Sequence, residues 1–128
     1  MLSIRASTLA CCAMLQPAFA EEFEPYTVSD RQMKAIEEAI GRELKDPYSA
    51  VYEGLRASVD SVEMVHVCGF VNAKNSFGAF SGRTPFYISI VPFEEPKSPM
   101  VMQQVFSEHP NVVAQVLEIC REMSVALN

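Results

Sequence analysis

The chain has 128 residues, 49% of them hydrophobic, with ten basic and sixteen acidic side chains and a net charge of −6. That charge repels nucleic-acid phosphates and anionic lipid headgroups, so neither is an expected partner. The length suits one domain, and no stretch after residue 20 approaches the ~18 apolar residues of a membrane span.

The first twenty residues read as an export leader. Arg5 supplies a positive start and residues 6–15 a short apolar run. Gln16-Pro17-Ala18-Phe19-Ala20 then ends in the small-x-small pattern that signal peptidase cuts. Cleavage after Ala20 removes one basic residue and no acidic one, taking the net charge from −6 to −7. A lipoprotein leader modified at Cys11 or Cys12 is the weaker reading. Thr8-Leu9-Ala10 is an imperfect lipid-attachment box, and almost no apolar region precedes it. The expected location is the periplasm or the exterior, with residues 21–128 as a single domain.

Residues 21–28 are polar, contain Pro25 and read as an extended arm. Ser29 is a good helix N-cap, and Gln32 completes a capping box. Met33, Ile36, Ile40 and Leu44 then recur at helical spacing until Asp46-Pro47 stops the helix. Residues 49–57 read as a strand and 58–61 as a turn. In residues 62–71, alternation puts Val62, Met64, His66, Cys68 and Phe70 on one face, and Glu63, Val65, Val67, Gly69 and Val71 on the other. Both faces are largely apolar, which suits a central strand.

Residues 72–85 are polar and glycine-bearing and read as an irregular connection to a strand at 86–91. Pro92, Pro96 and Pro99 mark a loop, and Met100–Phe106 leans to strand. A last helix begins at His109-Pro110, with Val113, Val116, Leu117, Cys120, Ser124 and Leu127 as its expected inner stripe.

If the leader is removed, Cys68 and Cys120 are the cysteines that remain, an even number in an oxidising compartment. A disulfide between them is expected. It closes a loop worth about 4 kcal/mol in the chain-entropy description. A redox-active or metal-binding pair is the alternative, but the Cys-x-x-Cys spacing is missing. The expected architecture is α+β: a small antiparallel sheet of three or four strands, with the N- and C-terminal helices on one face and one disulfide.

Two segments carry a resemblance. Leu44-Lys45-Asp46-Pro47-Tyr48-Ser49-Ala50 is similar to an "LKDP-x-SA" step, and residues 67–78 to a "CG-x-VNAKNS-x-G" segment, with Gly82 and Pro85-Phe86 continuing it. Both steps occur in a group of small, uncharacterised bacterial secreted proteins and lipoproteins. The resemblance implies an exported α+β domain and carries no activity. Phe70 departs from the pattern, standing where a polar or acidic residue is expected.

The most particular segment is 72–85. Asn72, Lys74, Asn75, Ser76 and Arg83 offer hydrogen bonds and two cations on an acidic protein, while Phe77 and Phe80 could form an apolar wall. These seven residues are the candidate binding set, for a small anionic ligand or a protein partner. The competing reading is a long hairpin connection built from turn residues. A phosphate loop at 78–84 fails on spacing, on arginine in place of lysine, and on the strand that follows.

No catalytic set assembles in the sequence, and no cofactor or metal is expected. A small exported hydrolase using His66 or His109, with Glu108 as a neighbour, is the alternative from another class; an envelope structural component is a third. His66-x-Cys68 with Cys120 is a conceivable zinc set, but disulfide formation competes for both sulfurs. Protein recovered from the periplasm or medium is expected to begin at Glu21 in N-terminal sequencing. A lipid-modified cysteine at the N-terminus would instead establish the lipoprotein route.

Overall fold

A computed structural model describes residues 21–128; the expected leader, residues 1–20, lies outside the described residues. The elements run β1 (Glu24–Tyr26), α1 (Asp30–Gly41), β2 (Val51–Val59), β3 (Val65–Asn72), β4 (Thr84–Val91), β5 (Met100–Phe106) and α2 (Pro110–Glu122). The strands form one antiparallel meander in chain order. The sheet therefore has five strands, not three or four. The extra one is β1, in the segment read as an arm; with Pro25 at its centre it pairs only along the outer side of β2.

The helices do not share a face. Ile36, Ala39 and Ile40 of α1 pack with Val65, Val67 and Val71 of β3 and with Phe86, Ile88 and Ile90 of β4. Cys68 and Tyr87 alternate with those residues and point the other way. They pack with Val116 and Cys120 of α2 and with Val125 beyond it. A strand that is apolar on both faces needs a cover on each. The expectation of both helices on one face is corrected by that same alternation, since it gives each helix a face of its own.

Local chemistry explains the element limits. Ser29 accepts from the Gln32 N–H at 3.2 Å, and the Gln32 side chain accepts from the Ser29 N–H at 2.9 Å, the reciprocal capping box. α1 stops at Gly41, six residues before Pro47. The chain doubles back there, and a Cβ on residue 41 would sit 3.3 Å from the Pro47 Cβ. Leu44 lies beyond the helix but still packs on the α1 core. In β2 the register slips between Glu53 and Arg56, where Gly54 takes φ +60. This bulge lets Tyr52 and Leu55 both reach the α1 core, although strict alternation would separate them. β3 begins at Val65, because residues 60–64 form a turn closed by Asp60.

The α2 stripe is rotated from its expected position. Val112, Ile119 and Met123 join Val116 and Cys120 on the inner side, while Leu117 is exposed. The Cys68–Cys120 disulfide forms as expected, with a Cα–Cα distance of 6.0 Å. The α2-side core has far less aliphatic bulk than the α1 side, so the covalent link carries a larger share of the docking of α2. Replacing both cysteines by alanine is expected to lower stability by up to about 4 kcal/mol in urea unfolding. In hydrogen exchange, α2 amides should lose protection before those of β3 and β4.

Candidate functional site

A cleft of about 480 Å³ opens at one end of the sheet on the α1 side, a size within the range of small-molecule sites. Three walls meet there. Glu43, Leu44 and Lys45 come from the turn after α1; Lys74, Asn75, Ser76 and Phe77 from the β3–β4 connection; Phe106, Ser107 and Glu108 from the link between β5 and α2. Val71, Ala73 and Thr84 also line the cleft.

The β3–β4 connection is itself a small folded hairpin rather than an irregular loop. Lys74 bridges to Phe80, the Asn75 N–H donates to the Ala79 carbonyl at 2.8 Å, and the Ser81 N–H donates to the Ala73 carbonyl at 3.0 Å. Asn75 Oδ1 accepts from the N–H groups of Phe77 and Ala79, and the Gly78 N–H returns to the Asn75 carbonyl at 3.0 Å. This is turn chemistry, with asparagine at the first position and glycine at the fourth. It holds Ser76 and Phe77 at the tip, where Phe77 is 95% exposed. The hairpin is anchored to the body by Ser49, whose Oγ accepts from the Lys74 N–H at 2.8 Å.

Four of the seven sequence candidates, Lys74, Asn75, Ser76 and Phe77, thus face one cleft. The other three do not line it. Asn72 Oδ1 accepts from the Gly82 N–H at 3.1 Å and closes the base of the hairpin. Phe80 is half exposed, with its ring centroid 5.7 Å from the Lys74 ammonium. Arg83 precedes β4 and sits against Glu53 and Phe70. Its Nε is 3.0 Å from Glu53 Oε2, and its guanidinium carbon is 4.2 Å from the Phe70 ring centroid. Phe70 shares the α2-side face with Cys68, so the guanidinium covers an aromatic ring that would otherwise meet solvent.

The cleft walls that sequence reading missed are Lys45, Phe106 and Glu108. They lie about thirty residues to either side of the hairpin, and no local pattern ties them to it. Lys45, Lys74, Glu43 and Glu108 form no ion pair among the described residues, so both signs of charge are available at the rim.

A second polar cluster sits at the opposite end of the sheet. His66 is buried, with Nε2 2.9 Å from Asp60 Oδ2 and Nδ1 2.9 Å from the Tyr87 hydroxyl. Burial works to raise the Asp60 pKa, but the hydrogen bonds from His66, Met64 N–H and Val62 N–H outweigh it and hold the carboxyl below its ordinary value. Burial raises the Tyr87 pKa, the nearby Asp60 charge adds to this, and a hydrogen bond from Ser89 works against it. Nε2–H of His66 donates to the Asp60 carboxylate, and Nδ1 pairs with the Tyr87 hydroxyl. Both nitrogens are occupied, and His66 lies outside the cleft. His109 Nδ1 accepts from the Asn111 N–H at 3.3 Å as the cap of α2. The disulfide takes both sulfurs of the conceivable zinc set. No helix among the described residues is long and apolar enough to cross a membrane.

No known family model, curated protein or solved structure matches this chain.

Asp60 ties the β2–β3 turn to β4 through His66. Its folded pKa is depressed, so its contribution is complete above the ordinary carboxyl value of about 4 and fades as pH falls through the folded value. Asp60→Asn is expected to cost about 1–3 kcal/mol at neutral pH. Thermal melts across pH should show the gap from wild type narrowing in acid.

Proposed function

We propose that the protein is an exported, non-enzymatic binding module whose cleft takes a small ligand with an apolar body and an anionic group. The observation that carries this reading is the convergence of Lys74, Asn75, Ser76 and Phe77 with Leu44 and Lys45 on one cleft. The lining is mixed in the way ligand sites are: Leu44, Val71, Phe77 and Phe106 supply apolar surface, while the two lysines and the serines supply orientation. The lysines counter the repulsion that an acidic protein exerts on an anion, and a charge-assisted hydrogen bond from either favours carboxylate or phosphate.

Two features support export. The leader composition of residues 1–20 favours it, and the Cys68–Cys120 bond suits an oxidising compartment. The resemblance to small secreted proteins points the same way. The hydrolase alternative draws on the Asp60–His66 pair, but Tyr87 occupies the nitrogen that a nucleophile would need.

Chemical-shift mapping with medium-chain and aromatic carboxylates, beside their matching amides, tests the reading. Carboxylates should perturb amides at 73–77 and 106–108, and the neutral amides should bind more weakly. Lys45→Ala with Lys74→Ala should weaken carboxylate binding by about tenfold to a hundredfold, the worth of a hydrogen bond to a charged group. Arg83→Ala should leave it unchanged. Equal binding by the double variant, or no localised shifts with any probe, would remove the cleft as the site.

A further inference from the structure

We infer that the free edge of β5 is the surface through which two copies of this chain pair, strand against strand, into a closed dimer. The two edges of the sheet differ sharply. β1 is three residues long and covers only Ala57–Val59 of β2; Glu24 and Pro25 guard it, and the uncovered part of β2 carries Glu53, the Gly54 bulge and Arg56, all devices that stop an edge from pairing further. β5 is seven residues long, Met-Val-Met-Gln-Gln-Val-Phe, with no charge and no proline. Among the described residues it pairs only with β4, so its outer row of backbone groups is open. Its register slips where Ser89 and Ile90 face Gln103 and Val101, which leaves Met102 without an opposite residue. Met102 is 55% exposed and Met100 45%.

Several observations favour a second copy as the occupant. A two-fold pair uses the same edge on both molecules and so closes at two, while the guarded β1–β2 edge opposes further growth. Two molecules of net negative charge meet least repulsion along an uncharged strand. Antiparallel alignment also brings Lys97, just ahead of β5, toward Glu108 of the partner subunit, just after it. Beside the edge, on the α1 side, lies a groove of about 660 Å³ where Ala35 and Ala39 leave room for incoming side chains. A seven-residue strand spans about 24 Å. Flanked by a helix layer on each face, it presents about 500 Å² per copy, which puts the pair near the lower limit for a specific interface. The expected dimer is therefore weak and concentration-dependent.

Sedimentation velocity of the purified protein over a micromolar to near-millimolar series tests this, with Met102→Lys and Met100→Lys as edge variants. Both side chains are substantially exposed, so a folded chain is expected, checked by circular dichroism. Wild type should pass from monomer to dimer, and either variant should weaken the association at least about tenfold, since charge on an edge blocks pairing. Hydrogen exchange on wild type gives an independent reading: β5 amides not bonded to β4 should gain protection as concentration rises. A wild type that stays monomeric throughout, a dimer that both folded variants retain, or a dimer without β5 protection would each overturn the inference.

Discussion

The Cys68–Cys120 bond is the constraint on which the three-layer arrangement turns. It joins the middle of the central strand to the middle of the last helix, and both sulfurs are fully buried. On the α1 side, aliphatic and aromatic side chains supply enough burial to hold a helix without help. On the α2 side, the buried set is Cys68, Tyr87, Val116, Cys120 and Val125. Much of that small core is the cross-link itself. Two backbone contacts extend the clasp past the helix end: the Ser58 hydroxyl donates to the Met123 carbonyl at 2.7 Å, and Arg56 donates to the Ala126 carbonyl at 3.1 Å.

The two ends of the sheet are used differently. At one end, Asp60, His66 and Tyr87 satisfy one another and lock the β2–β3 turn, leaving no buried side-chain polar atom unpaired among the described residues. At the other end, the β3–β4 hairpin stands away from the body, anchored through Ser49 and shaped by Asn72 and Asn75. That geometry separates residues that build the hairpin from residues that it displays. Asn72 and Asn75 spend their side-chain oxygens on backbone groups, while Lys74, Ser76 and Phe77 line the cleft. The proposed site and the proposed dimer edge both draw on the β5 region and meet at Glu108, which lines the cleft and lies just past the paired edge. The cleft ends at Phe106 and Glu108, whereas the open edge presents Met100 and Met102.

Much of the local structure was legible from the chain. Ser29 with Gln32 announced the start of α1, His109-Pro110 the start of α2, and the alternation through Val65 to Val71 a strand buried on both faces. Other features were not. Pro25 hid β1, because a three-residue edge strand takes its identity from its neighbour. Asp60 and Tyr87 gave no sign of meeting His66, because the contact spans a turn on one side and a neighbouring strand on the other. Arg83 carried the right charge for a ligand, but the alternation of β4 turned it to the α2 side, onto Phe70 and Glu53.

The amino-acid sequence alone determined the α+β class, the helix caps, the central strand and the disulfide partners. These follow from spacing and composition, which act over a few residues or, with Cys11 and Cys12 assigned to the expected leader, leave one pairing. The tertiary structure alone decided which face each helix covers and which residues of the 72–85 segment reach a common cleft. Those outcomes depend on strand order, on the Gly54 bulge and on where the chain doubles back at Gly41. They arise when distant segments compete for the same buried surface, and no local pattern encodes the winner.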